Sequence, residues 1–323
     1  MDRLVVFVVV NYNGAAVLGP CVDSILAQRH RNLRLLVVDN HSSDRSAQEI
    51  VERHPEAEVL FLNENSGYAR ANNIGIEAAL RLHPEYIALV NNDVELREEW
   101  LDSLLGFAED RGYDFVQSAI VAYGSQEVVD SLGIGISPDL HVYDRGHGEV
   151  LDENGVDGPL FGPCFAAALF RTEAVKGLST AGSFLDESLV SFYEDVECCF
   201  RANLQGLRAG LLHRPLCRHR RSFTADRIRP SKFYLIGRNY FRVVGAYVPA
   251  LTILKNGWPI ARRRGLLWAG TVRRPLSFLA FLWGSLAGIA ALPARRLSAR
   301  RLLRNRPEAL NLLLRRIREG DYV

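Results

Sequence analysis

Short apolar runs recur through the first part of the chain, at residues 4–10, 33–38, 59–62, 86–90 and 115–121, and segments with helical spacing lie between them. Runs of this kind predict buried strands, and their alternation with helical segments predicts parallel crossover units. Residues 1–121 therefore predict a Rossmann-like α/β fold, with a mostly parallel sheet covered by helices on both faces. Helix starts carry chemical marks. Ser42-Ser43-Asp44 reads as an N-cap cluster ahead of Ala47-Gln48-Glu49-Ile50-Val51, and Asn72, Asn73 and Gly75 lie in a segment that becomes Ile76-Glu77-Ala78-Ala79-Leu80.

Beyond residue 121 the pattern changes. Residues 123–160 are rich in Gly, Asp and Ser without helical periodicity, and predict loops and hairpins around the mouth of a site. A strand is predicted over 165–170 and a short helix over 172–176. Val196, Cys199, Phe200 and Leu204 then fall at helical spacing. This places Glu194 and Asp195 at the amino end of a helix, where the dipole favours negative charge. Residues 276–292 form an uncharged apolar block near the lower length limit for crossing a bilayer. Arg273-Arg274 and Arg295-Arg296 flank it on both sides, so charge bias selects neither orientation. An in-plane or re-entrant membrane helix fits those flanks better than a span, with a buried core helix as the alternative.

Composition divides the chain. At 323 residues, 48% hydrophobic and 24% charged, it is too long for one core and too apolar for disorder. Residues 226–323 carry 20 Arg or Lys against 4 Asp or Glu, leaving 19 basic against 33 acidic residues before them. The division predicts an acidic catalytic domain over 1–225 and a basic, mainly helical region over 226–323. The basic region contains Arg262-Arg263-Arg264, Arg300-Arg301, Arg304, Arg306 and Arg315-Arg316, together with Trp258, Trp268 and Trp283. Such clusters suit an anionic surface, and the apolar block selects membrane over nucleic acid. Five cysteines with spacings of neither a zinc ribbon nor a disulfide framework read as reduced and structural. The run 4–10 leads straight into Asn11-Tyr12-Asn13 without a secretory signal, so the cytoplasmic face of the cell membrane is the expected location.

The candidate chemistry starts at Leu89-Val90-Asn91-Asn92-Asp93-Val94, an apolar strand ending in two amides and a carboxylate. Ligands of open α/β sheets collect at such strand ends, and one carboxylate is a hard ligand for a cation bound to diphosphate. The same residues also suit an ordinary turn.

Five motifs in order resemble the inverting family 2 glycosyltransferases of the GT-A fold, and within them the rhamnosyltransferase-like bacterial branch. They are Val9-Val10-Asn11-Tyr12-Asn13-Gly14, Val37-Val38-Asp39-Asn40-His41-Ser42-Ser43-Asp44, Asn63-Glu64-Asn65-Ser66-Gly67-Tyr68-Ala69-Arg70-Ala71-Asn72-Asn73, Asn91-Asn92-Asp93, and Glu194-Asp195 followed by His219. The match covers residues 4–225, and the order of several motifs is more specific than any one of them.

The resemblance implies a GT-A domain, to which the basic region with its apolar block adds a membrane-associating helical extension. It assigns Asp39 to the imide N–H of a pyrimidine, with Asn11 and Asn13 flooring that pocket. Asn65, Gly67, Asn72 and Asn73 would approach the donor, Arg70 its phosphate, and Asn91 and Asn92 would lie beside it. Gly67, Ala69 and Ala71 keep side chains short where backbone meets ligand. The capping role open to Asp39 is already filled by Ser42, Ser43 and Asp44. Asp93 would bind Mn²⁺ or Mg²⁺ with His219 as a further ligand, Asn91 standing where the family often has an aspartate. Asp195 is the implied general base, with Glu194 the runner-up.

The implied reaction is a single inverting displacement from a UDP- or dTDP-sugar, rhamnose among the candidates, to a hydroxyl of a glycan or polyprenyl-linked saccharide. A sugar-phosphate nucleotidyltransferase is the alternative enzyme, but Asn11-Tyr12-Asn13-Gly14-Ala15-Ala16 lacks the Gly-rich, arginine-bearing loop of that class. A non-catalytic membrane scaffold is the other alternative, and the presence of both Asp93 and Asp195 argues against it. The transferase reading requires positions 93, 195 and 219 to meet in a common pocket.

Overall fold

A computed structural model describes residues 3–125, 127–180, 182–221, 230–271 and 274–320, the side chains of 264, 266–271 and 301 excepted. The expectations resting on Ser222, Phe223, Thr224, the boundary at residue 225, Arg273 and the side chains of Arg264, Trp268 and Arg301 lie outside the described residues.

The chain opens with β1 (Val5–Asn11), α1 (Leu18–Leu26), β2 (Leu33–Asp39), α2 (Ser46–Arg53), β3 (Ala57–Phe61), α3 (Tyr68–Leu80) and β4 (Tyr86–Asn91). β1 runs parallel to β2 and β4, and β2 to β3. Alternate residues of β1 enter opposite cores: Val6 and Val8 pack on one face, Val5, Phe7 and Val9 on the other. With both faces covered, the strands need continuous apolar runs. α3 lies against this sheet at Gly75, where a Cβ would stand 2.4 Å from Val8 Cγ1.

There follow β5 (Val94–Leu96), α4 (Trp100–Arg111), β6 (Phe115–Ala122), the short strands β7 (Val129–Ser131), β8 (Ile134–Ile136), β9 (Val142–Asp144) and β10 (Gly158–Leu160), then β11 (Ala167–Arg171) and α5 (Thr172–Leu178). A 3₁₀ turn at Glu187–Leu189 precedes α6 (Glu194–Gln205) and β12 (Ala209–His219). The sheet order is β10-β12-β6-β11-β4-β1-β2-β3, with β5 on β12 and β7 on β6. The sheet is mixed, which corrects the expectation of a mostly parallel one. β11 is antiparallel to both β4 and β6, and β5 and β10 are antiparallel to β12. The cause is the segment after β6: it forms short hairpins at the strand ends instead of a crossover helix, so the chain re-enters the sheet from that edge and runs backwards. β12 was not foreseen, because His213-Arg214-Pro215 interrupts its apolar run. The strand takes Pro215 at a register shift against β6, where a ladder donor is dispensable.

Helices α7 (Pro230–Tyr247), α8 (Ala250–Lys255), α9 (Gly257–Thr271), α10 (Pro275–Ala290), α11 (Leu292–Asn305) and α12 (Pro307–Glu319) complete the chain. α10 buries Ser277, Phe281, Gly284, Ser285 and Gly288. At Gly284 a Cβ would lie 2.1 Å from the Tyr234 carbonyl of α7, so small residues set this close crossing. Leu276, Leu279, Trp283 and Leu286 on the opposite face are exposed. Among the described residues no single helix is long and apolar enough to cross a membrane; α10 and α11, bent by 47°, pass that test only as a pair.

α6 is anchored from behind. Arg201 pairs with Glu197 at 2.8 Å, both buried, and donates to the carbonyls of Leu178 and Phe184. Tyr247 of α7 donates its hydroxyl to Glu197, tying the helical region to the helix that begins with Glu194-Asp195.

Candidate active site

The parallel strands bring the sequence motifs to one edge, where Asn11 stands opposite Asp39 and Val10 opposite Asn91. A cavity of about 570 Å³ opens there, lined by Tyr12, Asn40, Asn65, Gly67, Tyr68, Asn91, Asn92, Asp93, Phe192, His219, Arg221 and Lys232 among others. Asn40 and Asn65 clasp the loop before α3: Asn40 accepts from Ser66 N–H at 2.8 Å, and Asn65 from Gly67 N–H at 3.1 Å. Gly67 has φ +83°, a conformation other residues adopt only with strain, and a Cβ there would come 2.9 Å from the Val190 carbonyl.

Convergence of Asp93 and His219 comes from a strand of three residues. β5 pairs antiparallel with the end of β12, placing Val94 opposite His219. His219 Nε2 then lies 3.0 Å from Asp93 Oδ1, while Nδ1 lies 2.8 Å from Asp130 Oδ2 on β7. All three residues are buried. Burial disfavours the imidazolium, but the bonds to Asp130 and Asp93 outweigh it and raise the His219 pKa to about 9. Among the described residues no group of three or more His, Cys, Asp or Glu side chains forms a metal cage. The donor set nevertheless fits a divalent cation that takes most of its ligands from diphosphate and water: one carboxylate and one imidazole face a polar cavity, with a second carboxylate orienting the imidazole from behind.

Asp195 lies elsewhere than the single pocket expected for positions 93, 195 and 219. Its half-buried side chain lines a second cavity of about 310 Å³ with Ile134, Asp139, His141, Tyr143, Asp144, Tyr240, Ile260 and Arg263 among its walls. The cavities adjoin at Phe192, which lines both, and the Arg221–Asp144 ion pair joins a wall of one to a wall of the other. Desolvation raises the Asp195 pKa, the N–H of Val196 opposes this, and the charge of Asp144 adds to it. Glu194 is pushed in the same direction by its own burial and by Asp195, and its Oε2 is buried without a hydrogen-bond partner. Asp195 rather than Glu194 faces the cavity.

Several residues expected to touch a donor are engaged in bonds within the framework. Asn11 donates to Asp39, Ser42 and Ser46 and accepts from Asn92, so it lies behind the cavity as a hub. Asn13 accepts from Ser43 N–H and holds a turn at φ +52°. Asn72 bonds the carbonyl of Tyr68 one turn back, and Asn73 exchanges hydrogen bonds with the backbone of Leu185. Arg70 is 55% exposed beside Glu64 and does not line the cavity. Asn91 lines it, yet its Oδ1 accepts from the Tyr68 hydroxyl at 2.9 Å.

The capping expectation is also corrected. Ser42 is engaged with Asp39 and Asn11, leaving Asp44 to accept from the N–H of Ser46 at the start of α2. Asp39 is 3% exposed and accepts from Asn11 and Ser42. Sequence reasoning missed Asp130, Arg221, Lys232 and Tyr68. Asp130 carried a usable signal, a lone carboxylate set among Val128, Val129 and Leu132.

A mixed sheet of this order, with a carboxylate at the end of β4 beside a polar cavity, defines a GT-A fold. The chain belongs to Glycosyl transferase family 2, whose model matches residues 6–178, more than half its length. It is 25% identical over 246 residues to the low-salt glycan biosynthesis hexosyltransferase Agl10 of Haloferax volcanii, covering 70% of this chain and 75% of that one. It is 30% identical over 119 residues to the glycosyltransferase GlyG of Streptococcus pneumoniae; that stretch spans 36% of this chain and only 38% of its relative. In structure it resembles S. aureus TarS 1–349 in complex with UDP-GlcNAc, with a TM-score of 0.59 at 17% identity over 98% of this chain and 90% of the other.

Proposed function

We propose that this family member is an inverting transferase that moves a sugar, rhamnose among the candidates, from a UDP- or dTDP-linked donor to a hydroxyl of a glycan or polyprenyl-linked saccharide. Two adjoining cavities stand in place of the single pocket required of positions 93, 195 and 219, and the observation that carries this reading is their meeting at Phe192, one holding Asp93 and His219, the other a raised-pKa carboxylate, Asp195. The UDP-GlcNAc complex of a structural neighbour supports a nucleotide-sugar donor for the first cavity.

In this mechanism Asn40, Asn65 and Tyr12 receive the nucleotide at the strand ends, and the buried Asp39 holds the turn behind them through its bonds with Asn11 and Ser42. Asp93 and His219 would hold Mn²⁺ or Mg²⁺, which when bound supplies positive charge to the departing diphosphate. Asp195 accepts the proton of the acceptor hydroxyl as that oxygen bonds the anomeric carbon. The bond from that carbon to diphosphate breaks on the opposite side, so configuration inverts. A positioned base contributes about 10²–10⁴-fold, and a pKa nearer neutrality suits the role.

The test pairs binding with turnover. A nucleotide sugar held at 100 times its dissociation constant stabilises the chain by about 2.7 kcal/mol in a thermal-shift panel run with and without Mn²⁺. Asp93→Ala should remove the Mn²⁺-dependent part of the shift. Asp195→Asn should keep the shift and lose transfer; an active Asp195→Asn enzyme removes Asp195 as the base.

In the same reading the protein works at the cytoplasmic face of the membrane, with α10 in the membrane plane. One face of α10 is committed to α7, whereas Leu276, Leu279, Trp283 and Leu286 are 58–70% exposed, and Trp258 of α9 is exposed as well. Nearby arginines add about 1 kcal/mol each toward anionic headgroups. Co-flotation with anionic liposomes at physiological salt, reduced by Leu279→Glu with Trp283→Glu, is the expected result; wholly soluble recovery without flotation overturns it.

A further inference from the structure

Between the 3₁₀ turn and α6, the backbone adopts positive φ at three of four residues, Val190 (+68°), Phe192 (+67°) and Tyr193 (+72°). Positive φ in a β-branched residue is an outlier, and such states persist only where surrounding structure enforces them. This segment sits at the centre of the site: Phe192 lines both cavities, Asp195 follows two residues after Tyr193, and the Val190 carbonyl accepts from Ala69 N–H at the start of α3. What enforces it comes from α7, outside the 6–178 stretch that matches the family model.

Asn239, fully buried on α7, directs its Nδ2 at the carbonyls of Leu189 (3.0 Å), Ser191 (3.0 Å) and Phe192 (2.8 Å). Its Oδ1 accepts from Arg238 Nε, and Arg238 in turn donates to the carbonyls of Ser188 and Leu189. Arg242 donates to Ser188 as well. An amide has two N–H groups, and here they face three carbonyls that the left-handed turn points the same way. No neutral apolar side chain could keep those oxygens together away from water.

We propose that Asn239 is a positioning residue for transfer, holding residues 189–193 in their strained course so that Asp195 faces the second cavity and Phe192 stands at its junction with the first. α7 is thereby part of the catalytic unit: it walls both cavities, through Lys232 and Leu235 on one side and Ile236 and Tyr240 on the other, and it clamps the junction between them. The proposal rests on the transferase reading for its effect on rate, whereas the clamp itself is measurable without turnover.

Asn239→Asp tests it, since a carboxylate keeps the shape and removes both donors. Hydrogen exchange followed by mass spectrometry should show faster exchange across 187–193 than in wild type, with β1 and β4 unchanged. A displacement of the base by about 1 Å costs on the order of 10²-fold, so kcat should fall by that amount while donor nucleotide affinity stays within about threefold. Val190→Gly, which reaches positive φ freely, should recover part of the lost kcat in the Asn239→Asp background. Unchanged exchange at 187–193 overturns the clamp. Faster exchange with wild-type kcat, or parallel loss of kcat, nucleotide affinity and β1 protection, overturns positioning in favour of a general structural role. A wild-type chain that binds no nucleotide sugar and transfers none overturns the transferase reading, and the clamp is then decided by exchange alone.

Discussion

The two cavities that meet at Phe192 are built in opposite ways. The first is assembled largely from the ends of neighbouring parallel strands and the turns that follow them, which the sheet brings to one edge, with Phe192, His219, Arg221 and Lys232 completing its wall. The second gathers Ile134, Asp144, Asp195, Tyr240 and Arg263, drawn from a hairpin, the start of α6 and two late helices. Strand ends fix atoms to the lattice of the sheet and suit an invariant task, the handling of a nucleotide diphosphate. Hairpins and appended helices can be exchanged without disturbing that lattice, which suits the part of a transferase that must recognise its own acceptor. The difference teaches that the second cavity depends on anchors distant from it, and these anchors are where it can be broken.

The largest effect is expected at Arg201. It holds α6, and so Asp195, by its ion pair with Glu197 and its bonds to Leu178 and Phe184. Arg201→Met leaves the Glu197 carboxylate buried with only the Tyr247 hydroxyl beside it. Removing one partner of such a pair costs about 3–5 kcal/mol, read as a lower urea midpoint. A loss under about 1 kcal/mol, within the range of exposed pairs, would mean that packing alone holds α6 and that the two cavities do not differ in their dependence on remote anchors.

Asp130→Asn probes the first cavity's reliance on the hairpin region. Without a carboxylate behind Nδ1, His219 loses the partner that fixes its ring. Mn²⁺ affinity in the presence of a nucleoside diphosphate, measured by calorimetry, should weaken about 10–100-fold. Unchanged affinity would confine that cavity to the strand ends and leave Asp130 a framework residue.

The legibility of the chain follows the same divide. The gathering of Asn65, Gly67 and Asp93 at one cavity was readable because a parallel sheet turns consecutive motifs into one edge, and the apolar runs locate that edge. The roles of Asn11, Asn13, Asn72 and Asn73 were not, because an amide beside a ligand and an amide knitting two loops look alike in a linear chain. The sheet's mixed character was hidden because an apolar run such as β11 carries no mark of its direction, and β5, β7 and β10 are too short to register as periodic. Asn239 was invisible for another reason. Its three acceptors are backbone carbonyls almost fifty positions earlier, and no side-chain pattern marks a carbonyl.

A smaller effect sharpens the second cavity. As the proposed base, Asp195 must be ionised to accept a proton, so the rate should rise with pH through its raised pKa, well above the ordinary 3.8. Burial is the main cause and Asp144 a lesser one. Asp144→Asn removes a like charge, favours the ionised base and moves the acidic limb to lower pH by less than the whole displacement, since burial stays. Stability has the same sign. The folded chain holds protons on Glu194 and Asp195 that the unfolded chain has released, so these two groups make it less stable as pH rises from their ordinary values through the raised ones, with no further change above them. An acidic limb unmoved by Asp144→Asn would assign the profile to another group.

The smallest effect is expected at Arg70, and it separates the structure from the sequence most directly. A sequence motif that includes Arg70 invites a phosphate contact, whereas its guanidinium stands 55% exposed, 3.8 Å from a Glu64 carboxylate that is itself 75% exposed. An ion pair of that exposure contributes little, and surface substitutions away from special features fall within about 0.5 kcal/mol. Arg70→Ala should therefore leave nucleotide-sugar affinity within about twofold to threefold and the thermal midpoint nearly unchanged, because no desolvated charge is lost. A tenfold weaker donor, about 1.4 kcal/mol, would require Arg70 to swing toward the diphosphate on binding. The start of α3 would then be a moving part, and the first cavity would lose its claim to be the rigid one.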